Sequence, residues 1–148
     1  MAVLVALIAG SLVARVAGGL GVVYLDNWPS ALAVGLAVMF TLTGIAHFVP
    51  GMRRDMIAIV PPQLPAPALL VTATGLLELL GAAGLLLAPT RAAAAGCLFV
   101  LMLAMFPANV HAARMPNPPS SMTARLGVRS AMEVVFLAAA VFVWVCSG

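Results

Sequence analysis

Lysine is absent from this chain, and charge of either sign is scarce. Seven arginines stand against two aspartates and two glutamates in 148 residues, so charged side chains make up 7% of the sequence. A soluble domain carries about 25%, and a water-facing surface over the whole molecule is therefore excluded. The formal charge of +3 rests on arginines that form no basic run. That pattern points to lipid headgroups as their partners and not to nucleic acid. Cysteine is limited to Cys97 and Cys146, far apart and outside any C-x-x-C spacing, so no redox dithiol is indicated and both read as small apolar fillers. Histidine is limited to His47 and His111. Neither belongs to a tight ligand spacing such as H-x-x-x-H, so no metal site is expected. A haem would draw its axial ligand from His47 or His111, which fall on the same side of the membrane, and is the less expected cofactor. No glycine-rich phosphate loop is present. Abundant Ala, Gly and Arg without Lys suggest a GC-rich bacterial genome.

What the chain has in excess is apolar sequence. Hydrophobic residues make up 64% of it, gathered in blocks of the roughly 20 residues that span a bilayer. The expected fold is all-α, a polytopic transmembrane bundle forming one domain over residues 1–148. Five membrane helices are predicted, over residues 2–25, 30–49, 67–88, 92–111 and 129–147. The first block lacks the charged start of a signal peptide and resumes after Arg15, so it reads as a helix that stays in the membrane. Ser30, directly after Pro29, can cap the second helix. The linker 112–128, rich in proline and serine, cannot leave its backbone unpaired in hydrocarbon and must lie outside it. Arg53, Arg54, Arg114, Arg125 and Arg129 fall on one side and Arg91 on the other. This predicts a bacterial inner-membrane protein with its N-terminus cytoplasmic and its C-terminus outside.

Between the second and third helices lies TGIAHFVPGMRRDMIAIVPPQLPAP, residues 43–67. Met52, Met56, Ile59 and Val60 recur at helical spacing, which predicts an in-plane interfacial helix over 51–60 ended by Pro61 and Pro62.

Ionisable residues inside membrane helices are costly and need a reason. Phe40, Thr43 and His47 step by three and four along the second helix. Val71, Thr74, Glu78 and Gly81 do so on the third, and Met102, Met105 and Asn109 on the fourth. Facing inward, these stripes would line an apolar pocket holding a carboxyl, an imidazole and an amide. Glu78 and His47 are then the candidate catalytic or proton-handling groups. Asn109, Thr43, Thr74, Arg15 and His111 are candidate ligand contacts. A quinone suits such a pocket, because its carbonyls need hydrogen-bond donors. The competing reading pairs Glu78 with Arg15 as a structural bridge near mid-membrane. His111 and Glu133, nearer water, can equally snorkel or cap, and Arg129 can pair with Glu133 four residues on.

Ala46-His47-Phe48, the prolines at 50, 61, 62 and 65, the Gly75–Glu78–Gly81 spacing and Phe106-Pro107-Ala108-Asn109 together resemble the DoxX-like family of small bacterial membrane proteins, over about residues 31–111. The resemblance implies a four-helix membrane bundle in a redox setting, with His47, Glu78 and Asn109 at matching places and the first helix as an addition. It supplies no catalytic residue to transfer. Three functions stay open: a quinone-linked component of a membrane oxidoreductase, a non-catalytic lipid-binding or partner subunit, and a small-solute transporter. A transporter would lack the inverted repeat usual for that class. A protein partner or a second copy fits the first two.

Overall fold

The computed structural model describes residues 2–148. It is helical, with no strand among the described residues. Six helices follow in order: α1 (Ala2–Gly19), α2 (Trp28–Ala46), α3 (Pro50–Ala58), α4 (Pro67–Leu86), α5 (Arg91–Arg114) and α6 (Leu126–Ser147). All but α3 are long and apolar enough to cross a membrane. Their outer faces carry large apolar side chains, among them Leu69, Leu80 and Val145, each about two-thirds exposed. A surface of this kind suits contact with lipid and not with water. The chain is a multi-pass membrane protein.

The four helices α2, α4, α5 and α6 close a ring in which each packs on the next and α6 returns to α2. Helix α1 packs on α2 from outside that ring. Close approach of α2 and α4 depends on Gly75, because a methyl added there would lie 2.6 Å from His47 Cβ. The ring is filled at one end only. Leu36, Leu85, Leu98, Ala140 and Val143 pack to a solid core there. At the other end, which carries α3, the helices enclose a cavity instead.

Several boundaries differ from expectation for local reasons. Helix α1 stops at Gly19 and not near residue 25, because Gly18, Gly19 and Gly21 break the helix, with Gly21 at φ +110°. A short 3-10 turn, Val23–Leu25, follows. The cap of α2 is Asn27 and not Ser30: Asn27 Oδ1 accepts from the Ser30 backbone N–H at 2.8 Å. The Ser30 hydroxyl instead accepts from Arg91 Nη1 at 2.9 Å. Arg91 is itself buried, donates from Nε to the Leu85 carbonyl at 3.2 Å, and hydrogen-bonds and stacks on Tyr24. It locks the solid end.

Helix α3 begins on Pro50 at its first position, where the missing N–H costs nothing. Met56, Ile59 and Val60 turn toward the bundle and line the cavity, whereas Met52 is exposed. Arg53 does not reach out to lipid. It donates from Nη1 to the His47 carbonyl at 3.2 Å and from Nη2 to the Ala68 carbonyl at 3.0 Å and Thr72 Oγ1 at 2.8 Å. It therefore staples α3 across the end of α2 and the start of α4. Asp55 Oδ2 accepts from Ser121 Oγ at 2.6 Å and ties α3 to the α5–α6 linker. Arg54 is the exposed member of the pair.

Candidate functional site

The cavity at the α3 end has a volume of about 450 Å³, within the range of small-ligand sites. Its walls come from all four ring helices, from α3, and from Val3 near the start of α1. They are mostly apolar. Six of the nine methionines, Met39, Met56, Met102, Met105, Met122 and Met132, lie in them. The lining residues that remain exposed are Leu64, Leu70, Ala104 and Pro107. They place the mouth between the start of α4 and the second half of α5. Pro107 sits within α5 and supplies no N–H to the carbonyl four residues back.

Glu78 projects into this cavity because Val71, Gly75, Glu78, Ala82 and Leu85 form the buried stripe of α4 at steps of three and four. It is 2% exposed, and its Oε2 has no hydrogen-bond partner. The nearest titratable group is His47, whose Nδ1 lies 3.9 Å from Oε2, too far for a hydrogen bond. That imidazole nitrogen donates instead to the Thr43 carbonyl at 2.9 Å. Burial pushes His47, just past the end of α2, below its ordinary range. The bond to Thr43 opposes that shift and the Arg53 charge adds to it. A neutral imidazole results, and the 3.9 Å approach is a contact and not an ion pair. The Thr43 hydroxyl leans on the Met39 and Phe40 carbonyls at 3.3 and 3.4 Å, and the Thr74 hydroxyl donates to the Leu70 carbonyl at 3.0 Å. Both oxygens keep lone pairs toward the cavity they line.

Asn109 lines the cavity from α5, and its Oδ1 accepts from Arg129 Nη1 at 2.8 Å. Arg129 also donates to the Met122 carbonyl at 2.6 Å and the Ala124 carbonyl at 3.0 Å, so it fastens the α5–α6 linker to α6. It makes no ion pair with Glu133 among the described residues. Glu133 Oε1 is buried without a partner and faces the same cavity.

Of the residues singled out from sequence, His47, Glu78, Asn109, Thr43 and Thr74 thus meet in one cavity. Two do not. His111 is half-buried in the last turn of α5 and is not part of the lining. Arg15 lies at the opposite end, where Nη1 binds Asp26 Oδ1 at 2.9 Å and the guanidinium sits 5.9 Å from the Trp28 ring. The Arg15–Glu78 bridge does not form, because α1 ends early and leaves Arg15 in its last turns. Glu133, Arg129 and Phe136 are the wall that sequence reading missed. Their steps of four and three along α6 carry the same signal as the other stripes. Among the described residues no group of three His, Cys, Asp or Glu side chains converges as metal ligands, and both cysteine thiols are free and exposed.

A family model described as a domain of unknown function, DUF8561, matches residues 36–144. That stretch runs from the middle of α2 to the end of α6 and takes in every wall of the cavity except Val3. No curated protein and no solved structure matches the chain.

Proposed function

The chain belongs to the DUF8561 family, and we propose that it binds a lipophilic, quinone-class molecule in the cavity at the α3 end, as a redox-associated membrane component. The observation that carries this reading is Glu78 Oε2, unpartnered and buried in an apolar cavity. A buried polar oxygen left alone costs about 1–3 kcal/mol. Such a group persists where a ligand supplies the missing partner. A mouth between two membrane helices supports a ligand that arrives dissolved in the bilayer and leaves its tail there. The DoxX-like resemblance carried by His47, Glu78 and Asn109 adds a membrane redox setting. Electrons would come from a partner.

In this reading Glu78 meets the ring oxygen, accepting from a hydroxyl of the reduced ring or, when protonated, donating to a carbonyl of the oxidised ring, and His47, Thr43 and Thr74 offer further acceptors. Arg53, Arg54, Arg114, Arg125 and Arg129 lie at the α3 end, against Arg15 and Arg91 at the other. The bias favours the α3 end as cytoplasmic, with the protein in a bacterial inner membrane. An alkaline phosphatase domain fused after Gly148 should then be active.

The test of binding is extraction of purified protein followed by mass spectrometry of what co-purifies. A quinone should be present in the wild type and reduced in Glu78→Gln and His47→Ala. Absence of quinone in the wild type, with no uptake of added decylubiquinone, would sink the proposal.

A further inference from the structure

We infer that Glu133 and Asn109 form a second recognition point facing Glu78, so that the ligand is a ring bearing oxygen at both of its edges. This rests on the quinone-class reading of the cavity and specifies it. The cavity holds two unpartnered carboxyl oxygens, not one: Glu78 Oε2 from α4 and Glu133 Oε1 from α6. Helices α4 and α6 each pack on α2 and α5 and stand across the ring from one another. The two carboxyls therefore address the cavity from facing walls, and α5, which packs on both helices, lines it with Met102 and Met105.

Each wall has its own companion group. Glu78 has the His47 imidazole at 3.9 Å. On the far wall, the Asn109 amide is oriented by Arg129, whose Nη1 occupies Oδ1 at 2.8 Å. That bond turns the amide NH2 away from the guanidinium, and it has no acceptor among the described residues. Arg129 is held by Asn109 and by the Met122 and Ala124 carbonyls, which leaves Glu133 uncompensated. Arg129 is thus a positioning residue, and Glu133 and Asn109 are the groups that meet the ligand. Both line the cavity, to which they offer an acceptor and a donor. A phenolic hydroxyl uses both, and a quinone carbonyl uses the amide.

A lone buried carboxyl suits any single polar head. Two, from facing walls, select a molecule with two separated oxygens, because each unmatched group would otherwise stay unpaired on binding.

The test compares two probes on the purified full chain in nanodiscs under reducing conditions: a decyl hydroquinone, and the matching decylphenol that lacks one hydroxyl. The wild type should bind the hydroquinone about tenfold tighter than the phenol. In Glu133→Gln and Asn109→Ala the hydroquinone should weaken toward the phenol, whose own affinity barely changes because it can use the Glu78 end. Arg129→Lys should show part of the same loss of discrimination. Thermal midpoints of the unliganded variants check that they fold, and Glu133→Asp serves as a second variant if Glu133→Gln does not. Equal binding of both probes by the wild type overturns the inference while leaving the cavity a ligand site. So does a tenfold preference retained in both variants. Failure of the wild type to bind either probe overturns the quinone-class reading and this inference with it.

Discussion

Glu78 is a fully buried carboxyl with no ion-pair partner. Its Oε2 is buried and unpartnered, and Arg15 is engaged elsewhere. Replacing it with methionine, which has similar length and no polar oxygen, should remove a desolvation cost of about 1–3 kcal/mol. We expect Glu78→Met to raise the thermal midpoint in detergent without ligand and to abolish ligand binding. A lower midpoint would mean that the carboxyl has a partner. His47 leads to a pH prediction. Its folded pKa is lowered, so the unfolded chain binds the proton more readily. The stability from neutral, buried His47 is complete above its ordinary pKa of about 6.5. It should be lost as pH falls from there toward the lowered folded value. Between pH 7.5 and pH 5 the thermal midpoint of the wild type should shift further toward instability on acidification than that of His47→Gln, the difference between the two curves being the His47 contribution. Arg15 belongs to a different category. Its pair with Asp26 is partly exposed, so Arg15→Ala should cost no more than about 1 kcal/mol.

At the scale of elements, the α2–α4 contact decides whether His47 can sit over Glu78 at all. A Cβ at Gly75 would come within 2.6 Å of His47 Cβ, a clash that only helix separation relieves. Gly75→Ala should therefore weaken ligand affinity at least tenfold, more than it lowers the thermal midpoint; equal binding by this variant would remove the contact from the site. Helix α3 is held by Arg53 and by Asp55. Arg53→Ala frees three acceptors, and hydrogen exchange in Pro50–Ala58 should then accelerate with little change in α5 or α6. The inward stripes on α2, α4 and α5 are legible in the sequence because a polar residue in an apolar period is conspicuous. The stripe on α6 has the same period but a second explanation, because Glu133 lies close enough to the helix start to pass for a snorkelling residue. Arg53 is illegible: its partners are backbone carbonyls and a threonine brought together only by the turn at Pro50 and the return of the chain at Pro67.

For the whole molecule, hydrophobic block length locates four of the five membrane helices to within a few residues, since bilayer thickness leaves little latitude. The fifth, α1, ends at Gly19 where block length extends it to residue 25, a difference of about 9 Å of helix at roughly 1.5 Å per residue. The longer helix would hold Arg15 at mid-membrane and create a partner for Glu78 that does not exist. Length alone does not distinguish the glycine-rich stop from a continuing apolar run. The ring of α2, α4, α5 and α6 closes without α1, so a chain lacking residues 1–22 should still insert and form the ring, but bind ligand more weakly because Val3 leaves the cavity wall. The methionine walls carry a last consequence. Thioether chains are unbranched and polarizable and re-pack with little penalty, so a lining that draws on six of them has no fixed outline. Substituents on the ring or changes in tail length should then be tolerated across a graded series of compounds. Misplacing a single oxygen should not: this is a chamber that conforms to bulk and discriminates by polarity.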